Sequence, residues 1–125
     1  MKRLIAESYL LLVQIDLIMR FGDLQSIHTL VRKSETGNTK GHTDPSIHDL
    51  CHGMDLSCVF YIKKVQCLQR SAATTLLLRR YGHQAAMVIG AQMLPFKSHA
   101  WVEIDGAVVN DKPYMREIYQ VLECC

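Results

Sequence analysis

The sequence predicts an α+β domain in which amino-terminal helices and a cysteine-bearing helix pack on a small antiparallel sheet. Two observations predict it. Apolar residues recur at helical spacing as far as Arg80, and the period then changes to that of strands. Between two apolar runs, Asp105-Gly106 adds a hairpin signal. The 125 residues suit one domain, helical over 1–64, with a further helix and the sheet over 65–125. Hydrophobic residues make up 49% of the chain, enough for a core and too many for global disorder. A net charge of +2 is too balanced for a nucleic-acid partner bound by phosphate neutralisation.

Each element has its own local reason. Met1-Lys2-Arg3 and the apolar run over 4–19 have the outline of a signal peptide, but Glu7, Gln14 and Asp16 interrupt it. The longest unbroken apolar stretch, Tyr9 to Val13, is far short of a membrane span, and no small-residue cleavage site follows. This segment reads as a core helix covered on more than one face, with docking on a partner or a membrane surface left open. Asp23 caps a second helix over Leu24 to Lys33, with Ile27, Leu30 and Val31 on one face. Residues 34–44 are a polar, glycine-containing surface loop. Asp44-Pro45 then starts a third helix whose stripe is Ile47, Leu50, Cys51, Met54, Cys58 and Tyr61, ending near Lys63-Lys64. A fourth helix runs from Cys67 to Arg80, and Gly82 stops it. Strands follow over 85–90, 99–104 and 107–111. The middle one alternates, with His99, Trp101 and Glu103 on one face and Ala100, Val102 and Ile104 on the other. The tail over 114–123 carries both periods and leaves helix and strand undecided.

The five cysteines, Cys51, Cys58, Cys67, Cys124 and Cys125, are an odd number without a Cys-x-x-Cys pair. They read as free thiols of a reducing cytoplasm rather than a disulfide framework. Cys51 and Cys58 belong to the third helix's apolar stripe. His42, His48, Cys51 and His52 do not complete a zinc-ligand spacing, so no metal site is assigned and no cofactor is implied. Cys67 differs by its place at a helix amino terminus, where unpaired N–H groups and the helix dipole favour a thiolate.

A cysteine nucleophile needs a base, and the base needs an orienting group. His99 and Asp111 are the candidates, and the hairpin offers a geometric test. A strict two-residue turn pairs Ile104 with Ala107 and sets Asp111 on the face away from His99. A three-residue loop ending in a left-handed Gly106 instead puts His99 directly opposite Asp111, about 5 Å apart at Cβ. The triad therefore predicts the three-residue loop, and a two-residue turn without a bulge counts against it.

From residue 65 to 123 the chain also resembles the lasso-peptide leader peptidases of the B type. The likeness rests on Cys67-Leu68-Gln69-Arg70-Ser71, Gly82, Gly90, Pro95-Phe96 and His99-Ala100-Trp101-Val102-Glu103. It implies a transglutaminase-like, papain-related core and a cysteine endopeptidase. Such an enzyme cuts the leader from a ribosomally made precursor before a cyclase joins the freed amine to an Asp or Glu side chain. The family's nucleophile, base and orienting acid fall on Cys67, His99 and Asp111. The Cys67 backbone N–H is an oxyanion donor, with Gln66 a candidate for the second. Arg70 is a structural or substrate-orienting candidate, and Trp101 is a candidate to shield the triad, line a substrate groove or pack in the core. Glu103 either binds a partner cation or is solvated. About 65 residues precede Cys67 and read as peptidase helices, which matches the split form that works with a separate leader-recognition protein. The cyclase is a further implied partner. Two alternatives use the same residues differently: a transglutaminase-like acyltransferase on another peptide, and a non-catalytic peptide-binding module.

Overall fold

The computed structural model describes residues 2–34, 46–93 and 96–125. The elements are α1 (Lys2–Phe21), α2 (Leu24–Lys33), α3 (Ile47–Phe60), α4 (Cys67–Arg80), β1 (Ala85–Met93), β2 (Phe96–Ile104), β3 (Ala107–Val108), α5 (Met115–Ile118) and β4 (Gln120–Cys124). The strands form one antiparallel sheet in the order β3-β2-β1-β4, and α4 packs across β1 and β2. This is the α+β arrangement that the change of period predicts.

Local signals set the helix ends where caps are strong. The Asp23 carboxylate accepts from the Ser26 amide at 3.0 Å and opens α2. Helix α4 closes with the paired bonds of a Schellman motif, His83 N–H to the Leu78 carbonyl and Gly82 N–H to the Arg79 carbonyl. The third helix departs from expectation at both ends. It begins at Ile47, where the Ser46 hydroxyl accepts from the Asp49 amide at 3.1 Å; Asp44, Pro45, His42 and most of the 34–44 loop lie outside the described residues. It ends at Phe60 rather than Lys63, because contacts with α1 take over. The Tyr61 hydroxyl donates to Asp16 at 2.9 Å, and Lys63 pairs with Asp16 at 2.8 Å. Met1, Leu94 and Pro95 are likewise outside the described residues.

One core fills the space between the helices and the sheet: Leu11, Leu12 and Ile15 of α1, Leu50 and Met54 of α3, Leu77 and Leu78 of α4, and Met87 and Val102 of the strands. Helix α1 lies against α2, α3 and α4, but Leu10, Leu17 and Phe21 remain exposed. It is thus covered over part of its apolar circumference, less than its sequence suggests. Among the described residues no helix is long and apolar enough to cross a membrane. A second, smaller core lies on the opposite face of the sheet, where Val88, Trp101 and Met115 pack with Val108, Tyr119 and Val121. The undecided tail supplies both α5 and β4, and so covers that face.

Candidate active site

Cys67 is the first residue of α4 and is exposed. Gln66, its N-cap, is extended and makes no side-chain cap bond. Gln69, two residues on, is buried and donates to the Leu12 carbonyl at 3.0 Å, which fixes the first turn of α4 against α1. Ser71, one turn beyond Cys67, donates to the Ala100 carbonyl at 2.9 Å. This bond ties the cysteine helix to the strand residue next to His99. A cavity of about 310 Å³ opens there, lined by Gln66, Cys67, Leu68, Ile89, Ser98, His99 and Ala100.

His99 Nε2 donates to Asp111 Oδ2 at 2.6 Å. The Lys112 amide donates to the other carboxylate oxygen at 2.8 Å. Burial pushes the Asp111 carboxyl up, but the bonds from His99 and Lys112 and the nearby charges of His99 and Arg70 outweigh it. Asp111 is held below the ordinary carboxylate range and stays an acceptor. A carboxylate only accepts, so Nε2 of His99 is the donor in this bond and Nδ1 is the nitrogen left for a thiol. The imidazole ring also lies against Tyr119 and Trp101, with centroids 5.4 Å and 6.2 Å away and interplanar angles of 25° and 26°.

Gly90 pairs with His99 across β1 and β2 and makes room for those rings. A Cβ there would sit 2.7 Å from Trp101 Cη2 and 2.8 Å from Tyr119 Cβ. Only a glycine lets the Trp101 ring and the Tyr119 Cβ approach the strand so closely.

The hairpin register overturns the three-residue loop. Ile104 pairs with Ala107 and Glu103 with Val108, across a two-residue turn in which Asp105 and Gly106 have φ of 52° and 79°. Strand β3 stops at Val108 rather than 111, so Asp111 lies beyond the ladder and reaches His99 from outside it. The register argument for the triad fails with that loop, while the His99–Asp111 contact is made by another route.

Burial and pairing decide between the alternatives left open for Trp101, Glu103 and Arg70. Trp101 is fully buried and cannot line a substrate groove; it packs beneath His99, and its indole N–H donates to Glu103 at 2.8 Å. Glu103 is buried, not solvated, and accepts two bonds from Arg116 at 2.8 Å each. Those bonds outweigh its desolvation and hold its carboxyl below the ordinary range. Arg70 does not line the Cys67 cavity. It pairs with Asp55 and lines a separate cavity with Cys58, Val59, Lys64 and Val65. Cys51 and Cys58 are half-buried as the stripe implies; burial, reinforced by Asp55, pushes the Cys51 thiol up to about 11. His48 and His52 stack face to face, with centroids 6.3 Å apart.

The family model of the transglutaminase-like superfamily matches residues 9–124, nearly the whole chain. The chain belongs to the transglutaminase-like superfamily. Within the curated proteins it is similar to the microcin J25-processing protein McjB of Escherichia coli, with 40% identity over 70 residues. That alignment covers 54% of this chain and 34% of the relative, so the chain spans about a third of the length of the curated protein it matches. No solved structure matches. The superfamily assignment accords with the mixed fold of helices and a four-stranded antiparallel sheet.

Ser71, Tyr119, Gly90 and Asn110 are the site neighbours that sequence reasoning left without a role. Ser71 had a usable signal, since it lies four residues after Cys67 and so on the same helix face. Tyr119 and Asn110 had none, because their contacts are made across the sheet.

Proposed function

We propose that this chain is a cysteine endopeptidase that removes the leader from a ribosomally made lasso-peptide precursor in the cytoplasm, working with a separate leader-recognition protein. The observation that carries this reading is the 2.6 Å His99–Asp111 bond at the edge of a cavity that Cys67 also lines. The likeness to a microcin J25-processing protein supports the substrate class.

In the proposed reaction the Cys67 proton passes to His99 Nδ1, and the thiolate attacks the scissile carbonyl. The carbonyl oxygen takes negative charge beside the Cys67 backbone N–H, which no α4 carbonyl precedes to occupy, with Gln66 free to supply a second donor. As the C–N bond breaks, the imidazolium returns its proton to the departing core amine. Water then adds to the thioester with His99 as base, freeing the leader carboxylate and regenerating the thiol. Asp111 holds the ring with Nδ1 towards the thiol and stabilises the imidazolium between steps. Acyl transfer would share every step but the last, with an amine in place of water.

The test is mass spectrometry of a cognate precursor incubated with its recognition protein and this chain. Wild type should yield free leader and free core. Cys67→Ala should yield neither while keeping a native circular dichroism spectrum. Cleavage that survives Cys67→Ala would remove the nucleophile assignment, and a leader joined to an amine would reassign the chain to acyl transfer.

A further inference from the structure

The hairpin register by itself forbids the contact between His99 and Asp111. Extended three residues past Val108, the pairing of Glu103 with Val108 sets Asp111 opposite Ala100, whose side chain faces α4. Asp111 would then point away from His99. The register is abandoned just before that residue, and one side chain ends it. The Val109 N–H donates to the Val102 carbonyl at 2.9 Å, as a ladder residue should. The reciprocal donor, the Val102 N–H, is taken by Asn110 Oδ1 at 2.7 Å. A side-chain amide thus stands where a backbone carbonyl would continue the pairing. The chain beyond it leaves the pleat, and Asp111 turns to the His99 face.

The other end of the same carboxamide reaches the cysteine helix. Asn110 Nδ2 donates to Ser71 Oγ at 3.4 Å, and Ser71 Oγ donates to the Ala100 carbonyl. Both Asn110 and Ser71 are buried, so water cannot replace these partners without cost. The three bonds link α4 one turn below Cys67, β2 on both sides of Trp101, and the backbone immediately before Asp111. Each segment that carries a member of the Cys67, His99 and Asp111 set is held by this one network.

We propose that Asn110 is the positioning residue of the site: its buried carboxamide ends the β3 ladder and thereby delivers Asp111 to His99 while docking both to the Cys67 helix. The part concerning Cys67 rests on the peptidase reading; the part concerning His99 and Asp111 does not.

The test reads the His99–Asp111 bond directly, as the downfield, slowly exchanging imidazole N–H resonance in proton NMR. Wild type should show it and Asp111→Ala should lose it. Asn110→Ala should lose it too while remaining folded by circular dichroism, since the Val102 amide is then free to pair with Val109 and draw Asp111 back into the ladder. With the precursor as substrate, the same variant should lower kcat by about 100-fold, as an ångström-scale misplacement does, and leave KM little changed. Persistence of the resonance in folded Asn110→Ala overturns the proposal. Should that variant not fold, the wild-type protein decides: a coupling across the hydrogen bond from the Val102 amide to the Asn110 side-chain carbonyl carbon supports it, and one to the Val109 carbonyl overturns it. Neither NMR readout depends on cleavage, so a failed peptidase assignment leaves this result standing.

Discussion

The two faces of the β1–β2 sheet are built from alternate residues of the same strands, yet they solve different problems. The face towards the helices is apolar: Met87 and Val102 are fully buried in the main core beside Leu77 and Leu78. The other face carries His99, Trp101 and Glu103 within two turns of pleat, and two of the three are charged or chargeable. There the groups are held by specific partners. Trp101 and Arg116 bond to Glu103, and Asp111 bonds to His99. The first face is stabilised by burial, which is tolerant of shape, and the second adds to its smaller core directed bonds, which are not. Reactive side chains sit where neighbours are fixed by direction, because a base must be held to within a fraction of an ångström.

Substitutions that strike one face alone break or sharpen this contrast. The largest effect is expected at the Cys67→Ala variant, which should abolish cleavage without altering the fold. Met87→Ala should cost about 3 kcal/mol by urea unfolding, since it leaves a cavity in the main core. Cys67 alkylation by iodoacetamide, measured per folded molecule, should stay close to wild type; a large fall there would mean that the faces are coupled. Gly90→Ala drives a methyl into Trp101 and Tyr119, with an expected cost of about 2 kcal/mol. Unlike Met87→Ala, it should also shift tryptophan fluorescence and slow Cys67 alkylation, because both rings rest on His99. Trp101→Phe keeps most of the packing but removes the indole donor to Glu103, and should cost about 1 kcal/mol in the same unfolding assay.

The smallest expected effect is on acid stability. Glu103 is held below its ordinary value by Arg116 and Trp101, and Asp111 by His99 and Lys112 against the opposing effect of burial. Their stabilisation is complete above the ordinary carboxylate range, about pH 4, and fades as pH falls through their lowered folded values. Glu103→Gln should therefore flatten the acid limb of a stability–pH curve, and Met87→Ala should shift that curve without changing its shape. An unchanged slope in Glu103→Gln would remove Glu103 from this account.

Much of the frame was legible in the residues because it is written locally. Asp23 caps α2, and α4 spans Cys67 to Arg80 as its spacing and its Gly82 stop indicate. The odd residues of β2 share a face by the period of the pleat alone. Elsewhere a distant partner decided the outcome. Asp16 on α1 captures Tyr61 and Lys63 and ends α3 early. Trp101 was legible as a neighbour of His99, but its burial stayed one alternative among several, since the α5 and β4 segment that covers it has an ambiguous period.

The sequence by itself determined the class of the fold, the helix start at Cys67 and the turn at Asp105-Gly106, because these follow from periodicity, caps and backbone preferences within a few residues. Only the tertiary structure decided how Asp111 meets His99. That contact depends on one buried amide, Asn110, competing with a backbone carbonyl for the Val102 N–H. No local propensity encodes the result of such a competition, since both acceptors belong to the same short segment and the donor lies on another strand.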